Sequence, residues 1–393
     1  METTTKKALI IGAGVAGPIM ALQLQKIGYD PEIYESRSAE NIHEGAFLGI
    51  TPNGLNVLKE FVHTDALKSD FTPGSIQFYN HSGKLIAELS THYQKALYGC
   101  ETLQIRRSAF NRAVREAAVN KGIRIHYNRK FKTLTETQDK VSVTFEDHSV
   151  AEGDILIACD GMFSSVRKFL FPGASFLHYT KLISTGGFAR VPGLSTPSTA
   201  IQMCFGERGF FAYSVSGLGE VWWFNNYYRE AEPGRSETEL SLKEEIRQTL
   251  LEIHRNDDPL FSEIIRRTEE IIAYPVYDLP TLPDWYKGRV CLIGDAAHGI
   301  SPHIGQGASL ALEDTLVLSH CLSKEKSIAA AFQTFQDLRR PRVEKVIKTA
   351  QKVGDTKSKT NPVAAWFRDR LIGFFIKRQI SQLDWLYGWK PEM

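Results

Sequence analysis

Three loops in this chain carry residue types that can do chemistry. In the first, "GAGVAG", Gly12, Gly14 and Gly17 form G-x-G-x-x-G, with Val15 and Ala16 in the same cofactor-binding turn. Such glycines allow a tight turn, close approach of the backbone to a pyrophosphate and packing of a helix on its strand, while the helix N-terminus supplies N–H donors. Eighteen residues past Gly17, Glu35 ends a strand-like run and can accept hydrogen bonds from a ribose; Arg37 can cover an adenine face. These features point to an adenine dinucleotide and do not separate NAD from FAD. In the second loop, "ACDGMFSSVRKFLF", Asp160 and Gly161 precede Ser164, Ser165 and Arg167 in the pattern D-G-x-x-S-x-x-R. The third, "GDAAHGISPHIGQGASLALED" at residues 294 to 314, places Asp295, Pro302 and the run Gly305, Gln306, Gly307 ahead of a helical stretch. Glycine is costly at a helix start unless something must come close to the backbone, and a helix N-terminus favours negative charge. His298 and His303 flank this loop, and neither is assigned an acid or base role.

The elements around these loops are legible. "KALIIG" is a short apolar run closed by glycine, a buried parallel strand. "GVAGPIMALQLQKIG" has helical spacing and stops at Gly28, and "PEIYE" is a second strand, so the first thirty-five residues predict a βαβ unit. "SAFNRAVREAAVNKG" predicts a helix with Ser108 as N-cap and Gly122 at its end, before the strand "IRIHY". A hairpin near "VSVTFED" and the buried strand "GDILIACDG" follow. From about 176 to 275 the texture changes to aromatic runs such as "GFFAYSVSG" and "EVWWFNNYY", an antiparallel idiom, and "GRVCLIGDAAH" returns to the parallel one.

The expected architecture is therefore α/β: a Rossmann-like domain over residues 1–175 and 276–340, an inserted antiparallel-sheet substrate domain over 176–275, and C-terminal helices over 341–393. One tail helix is expected from "PRVEKVIKTAQKV" and a second from "NPVAAWFRDRLIGFFIKRQISQLDWLYG", the latter packing across the two lobes rather than lying on a membrane surface.

Forty-seven Lys and Arg against forty-five Asp and Glu leave a net charge of +2, which offers no footprint for nucleic acid. Five scattered cysteines without a C-x-x-C pair argue for reduced thiols and against a zinc site, so no metal is expected. No run is apolar enough to span a membrane and "METTTKK" has no signal-like character, so the expectation is a cytoplasmic protein, monomeric or weakly dimeric, without integral membrane association.

In this order and context, the three motifs resemble the single-component FAD-dependent monooxygenases built like para-hydroxybenzoate hydroxylase. Salicylate hydroxylase-like and tetracycline-inactivating monooxygenases belong to that group. The resemblance implies FAD as cofactor, NADPH or NADH as transient reductant, and O2 as co-substrate. One oxygen atom would enter an aromatic or polycyclic, polyketide-like small molecule through a flavin C4a-hydroperoxide. The resemblance puts Asp295 on the ribityl chain, whose hydroxyls a carboxylate can accept, and Asp160 and Gly161 near the pyrophosphate and the docking NAD(P)H. Arg107 of "QIRRSAF", in preference to Arg106, reaches FAD, and Pro302 with Gly305, Gln306 and Gly307 flanks the flavin ring. Many members have Asn where this chain has Ser309. Because the flavin carries the chemistry, no catalytic side chain is named.

A dry aromatic wall from the inserted lobe is expected to receive the substrate, with Phe188, Met203, Phe211, Tyr213, Trp223 and Asn225 as candidates. The alternatives are a flavin-dependent halogenase, whose W-x-W-x-I-P signature is absent, a non-oxygenating flavoprotein oxidoreductase, and a flavin-bound sensor or binding protein. No second G-x-G-x-x-G marks a separate nicotinamide domain.

Overall fold

In the structure, a computed structural model, residues 5–40, 45–63, 67, 74–174, 177–194, 196–233, 243–355 and 384–391 are described. Two sheets dominate. The first has six strands in the order Tyr286–Lys287, Val290–Leu292, Ile155–Ala158, Lys6–Ile11, Tyr29–Tyr34 and Arg124–His126. Lys6–Ile11 pairs in parallel with both neighbours. It is covered on both faces, which is why it reads as a continuous apolar run instead of an alternation: Ala8, Leu9 and Ile10 are fully buried. The helix Ala16–Lys26 packs on it, and Gly28 ends that turn with φ of +88°.

The second sheet has seven strands in the order Ile272–Asp278, His178–Ala189, Val221–Tyr228, Gly209–Val215, Ala200–Phe205, Ser75–Asn80 and Leu85–Ser90. Every neighbouring pair is antiparallel except Ala200–Phe205 with Ser75–Asn80. The sheet thus takes in a hairpin from residues 75–90, well ahead of the 176–275 stretch read from composition. Parallel pairing requires a long return of the chain, and no local pattern announces it. The helices Lys243–Ile253 and Pro259–Arg267 cover one face of this sheet, joining Phe211, Trp223, Leu250, Phe261 and Ile264 in a core separate from that of the parallel sheet. The opposite face fronts a cavity.

Two expectations are corrected. The helix Arg107–Asn120 starts directly out of the strand Leu103–Arg106, and its N-cap position, Arg106, makes no side-chain cap bond. Ser108 therefore sits inside the first turn rather than capping it. The tail helix expected from 341 instead runs Ile328–Asp355 with Pro341 inside it, because Ala331, Phe332 and Phe335 anchor its first turns in the core. A proline costs a helix one backbone hydrogen bond, which that burial offsets. The second tail helix lies largely outside the described residues; of its stretch, the short helix Asp384–Tyr387 is described. Among the described residues no helix is long and apolar enough to cross a membrane.

Candidate functional site

A cavity of about 1940 Å³ opens where the parallel strands end and extends to the free face of the seven-stranded sheet. Pockets for drug-sized ligands hold roughly 300–1,000 Å³, so this one has room for a dinucleotide and a second small molecule. Its location outside the carboxyl ends of parallel strands is where α/β sheets bind ligands.

The first loop forms one wall. Gly12 has φ of +104°, and a Cβ there would lie 2.5 Å from the Cys159 carbonyl oxygen. A Cβ on Gly17 would lie 1.9 Å from the Gly12 oxygen, so Gly17 serves helix packing and does not line the cavity, whereas nothing stands within 4 Å of a Cβ on Gly14. Gly12, Gly14, Val15 and Ala16 line the wall directly. Glu35, 8% exposed, accepts from the Ala13 amide at 2.8 Å through Oε2 and from the Arg37 amide at 2.9 Å through Oε1. It holds the glycine loop in shape and, with about four acceptor sites on its carboxylate, retains capacity towards the cavity it lines. Arg37 is exposed at the rim.

From the helix Arg107–Asn120, Arg107, Asn111 and Arg115 all line the cavity, four residues apart on one helical face. The sequence motif points to Arg107 alone; the period of the helix is the signal for the other two. Arg115 Nε donates to the Ala13 carbonyl at 2.8 Å, bracing the glycine loop from the opposite side to Glu35. Arg106 turns towards the other sheet, where it pairs with Glu220 and stacks its guanidinium 3.8 Å from the centroid of Phe188.

The second loop is a set of mutual caps. Asp160 Oδ2 accepts from the Ser165 and Val166 amides at 2.8 and 3.2 Å, and Ser164 Oγ accepts from the Arg167 amide at 2.9 Å. Arg167, fully buried, donates from Nη1 to the Ala296 and Asp295 carbonyls at 3.0 and 3.3 Å and from Nη2 to Met162. The D-G-x-x-S-x-x-R pattern therefore clamps the second loop to the third. Asp160 Oδ1 is buried with no hydrogen-bond partner among the described residues, and burial pushes the carboxyl's pKa up. Asp160 and Gly161 line the cavity.

In the third loop, Asp295, Pro302, Gly305 and Gly307 line the cavity. Burial also raises Asp295, against the pull of His298, Arg107 and Arg167, and among the described residues its carboxylate has no hydrogen-bond donor. Gln306 departs from expectation. It is 1% exposed and wedged behind the loop, accepting from Asn53 Nδ2 at 3.2 Å and donating to Thr51 Oγ1 at 3.0 Å. Thr51 in turn meets Ser309 Oγ at 2.8 Å. A Cβ on Gly54 would come within 2.7 Å of the Ser309 Cα, so the two short chains pack backbone to backbone.

Behind the loop runs a buried polar network that sequence reading missed. Asp314 Oδ2 accepts from the Gly294 amide at 2.8 Å and lies 2.6 Å from His298 Nε2, while its Oδ1 accepts from Arg339 Nε at 2.7 Å. Glu313 accepts from Arg339, Arg342 and Asn53 at 2.6 to 2.8 Å. Burial pushes Asp314 up, but His298 and Arg339 outweigh it and hold its pKa down at about 2. An ionised Asp314 can only accept, so His298 carries its proton on Nε2, a structural hydrogen bond away from the cavity lining. The side chain of His303 lies outside the described residues.

The opposite wall is the seven-stranded sheet, and here most candidate substrate residues are corrected. Cross-strand partners share a face, and register puts Met203, Ala212, Phe224 and Gly186 in one row and Phe205, Phe210, Asn226 and Ser184 in the next. Apart from Ala212, these residues line the cavity. Phe211, Tyr213, Trp223 and Asn225 are one residue out of phase and face the covering helices: Phe211 stacks on Phe261 at 4.5 Å, and Trp223 Nε1 donates to Thr268 Oγ1 at 2.9 Å. Phe188 has the cavity-side phase but packs under Arg106 with Phe47 and Trp222, leaving Met203 as the one candidate on the wall.

Residues 5–350 match the family described as FAD binding domain. The chain is 28% identical over 369 residues to 6-hydroxynicotinate 3-monooxygenase of Bordetella bronchiseptica, covering 91% of this chain and 93% of that one. It is 25% identical over 367 residues to FAD-dependent urate hydroxylase of Klebsiella pneumoniae, covering 92% and 94%. The crystal structure of Klebsiella pneumoniae HpxO complexed with FAD and uric acid shares the fold, with a TM-score of 0.85 at 23% identity over 96% of each chain.

Proposed function

The chain belongs to the FAD binding domain family, and on that premise we propose a division of labour within one FAD-dependent monooxygenase. Residues 1–175 and 276–340 hold FAD, with the hairpin 75–90 set apart from them; that hairpin and residues 176–275 form the wall that receives substrate. The observation that carries this reading is that Glu35 and Asp295, from loops 260 positions apart, line one cavity whose far wall is aromatic.

The residues present fit the cofactor. Gly14 leaves open space where a pyrophosphate would approach, and Glu35 faces the position of a ribose. Asp295 is half-buried on the cavity lining and no described residue donates to its carboxylate, which leaves it free to accept hydroxyls of a polyol chain, while Asp160 keeps one buried oxygen unpaired beside the glycine loop. The helix Gly307–Lys324 has no acid in its first turn, so its amides can face the electron-rich edge of a flavin. Bound FAD supplies the redox chemistry by which NAD(P)H and O2 are consumed and one oxygen atom enters an aromatic small molecule.

The chain's own residues do the rest. Arg107 balances the negative charge gathered around Asp295, and Arg115 with Glu35 holds the glycine loop rigid. Arg167 keeps the second and third loops in register, and the phenylalanine and methionine side chains of the far wall exclude water and stack on the substrate ring. Gln306 acts through Thr51 and Asn53 as a positioning residue. Five free cysteines support a cytoplasmic setting, and the substrate is a small, polyketide-sized or smaller ring taken up by a monomer or weak dimer. Following NADPH and NADH oxidation by the yellow protein over a panel of aromatic compounds tests this reading; it fails if no compound stimulates oxidation and none gains oxygen.

A further inference from the structure

Asn225 and Asn226 are adjacent on one strand and have opposite fates. Asn225 is saturated: it accepts from Thr185 Oγ1 at 3.2 Å, donates to the Phe210 carbonyl at 2.9 Å and meets His254 Nε2 at 2.6 Å. Asn226 is 4% exposed and lines the cavity, and its Oδ1 has no hydrogen-bond partner among the described residues. A buried amide edge left open costs free energy until a ligand or water completes it. Rotation exchanges the amide oxygen and nitrogen, so what the site presents is a paired acceptor and donor. The group that matches both at once is another amide-like edge, with N–H and C=O side by side.

The surroundings narrow the class. Phe205, Phe210, Phe224 and Met203 share the cavity face with Asn226 and make its surroundings apolar and aromatic, suited to a ring. The described residues of the seven-stranded sheet put no charged side chain on the cavity; its cationic lining, Arg37, Arg107, Arg115, Arg129, Lys130 and Lys345, comes from other elements. A ring carrying a carboxylate turned to this wall would lose its hydration and gain no counter-charge from it.

We propose that this wall selects an uncharged ring bearing a lactam edge, or its hydroxy-aza tautomer, and that Asn226 is the specificity-determining residue reading that edge. The proposal rests on the reading that the cavity receives an oxygenation substrate and names that substrate's class.

The test uses the FAD-loaded full chain and three probes: α-pyridone, its N-methyl derivative, and α-pyridone carrying a ring carboxylate. Binding is read from perturbation of the flavin absorbance, alongside stimulated NAD(P)H oxidation. The wild type is expected to bind α-pyridone roughly tenfold or more tightly than either analogue. Asn226→Ala should lose that preference by weakening α-pyridone to the level of the N-methyl ring. Asn226→Asp, which keeps the volume and so guards against a folding defect, should weaken α-pyridone and weaken the carboxylated ring further. The proposal is overturned if the wild type binds none of the three, if either analogue matches α-pyridone, or if Asn226→Ala keeps the full preference. Preference in binding supports Asn226 whether or not a probe ring is oxygenated; oxygenation without preference overturns the role of Asn226 and leaves the monooxygenase reading standing.

Discussion

His298 Nε2 lies 2.6 Å from Asp314 Oδ2, and this buried pair ties the loop that presents Asp295 to the helix behind it. Removing one partner of a buried hydrogen bond to a charged group costs about 1.5–3 kcal/mol, part of which Arg339 offsets here by remaining on Asp314. His298→Ala is expected to lower unfolding free energy by roughly 1–3 kcal/mol and to loosen FAD, read by denaturant titration of apo- and holoprotein. Unchanged stability would contradict the structural role given to His298.

The same carboxylate sets an acid limit. Asp314 is held at about 2, below its ordinary 3.8, so its contribution is fully present above pH 4 or so and is lost as pH falls through 2. Apoprotein stability is expected to drop by roughly 2 kcal/mol over that window through this group. Asp314→Asn should flatten that segment of the stability curve; an identical acid slope in the variant would refute the assignment.

The two inner glycines of the first loop should separate folding from cofactor binding. Gly17→Ala forces a Cβ to within 1.9 Å of the Gly12 oxygen and should cost about 3 kcal/mol or more. Gly14→Ala meets nothing within 4 Å, so the apoprotein should stay within about 1 kcal/mol of wild type while FAD affinity falls roughly tenfold. Isothermal titration with FAD and thermal melts of both variants check this, and a Gly14→Ala protein with normal FAD affinity would disprove close approach at that residue.

Asp295 should trade stability for cofactor. Burial raises its pKa, so the folded apoprotein disfavours the charged form and loses stability as pH rises through that raised value. Asp295→Ala removes this cost and should leave apoprotein stability at neutral pH equal or higher, while retained FAD, read as flavin absorbance per protein, falls. Full FAD content in the folded variant would end the ribityl assignment.

The parity of the aromatic strands is testable by a pair of truncations. Phe211→Ala, in the core between sheet and helices, should destabilise by about 3–5 kcal/mol and leave KM for an accepted aromatic compound unchanged. Phe224→Ala, on the cavity wall, should raise KM roughly 3- to 10-fold with a smaller loss of stability. The opposite pattern would reverse the faces.

Much of the glycine-loop end of the cavity was legible because its physics is local. Gly12 needs a positive φ, Gly17 needs the absence of a Cβ, and Glu35 follows at a fixed distance along a βαβ unit, so spacing alone located them. Asn111 and Arg115 were equally readable from helical period once Arg107 was named. The network of Asn53, Glu313, Asp314, Arg339 and Arg342 was not, since it is made of pairs hundreds of positions apart that no local pattern connects. The choice of residues for the aromatic cavity wall failed for a different reason. Runs such as "GFFAYSVSG" are apolar on both faces, so alternation does not tell which phase faces the helices and which the cavity, and a shift of one residue inverts every choice. Gln306 shows a third limit: its place in the loop was visible, but not that its side chain points backwards to Thr51 and Asn53.

The central claim, that this cavity joins FAD to an aromatic substrate for oxygen insertion, is tested most directly by mass spectrometry of reactions run under labelled O2. The purified yellow protein, NADPH or NADH and an aromatic compound that stimulates oxidation should yield a product heavier by one labelled oxygen atom. Compounds that stimulate oxidation yet never acquire that label, or a protein that takes up no FAD, would contradict the account.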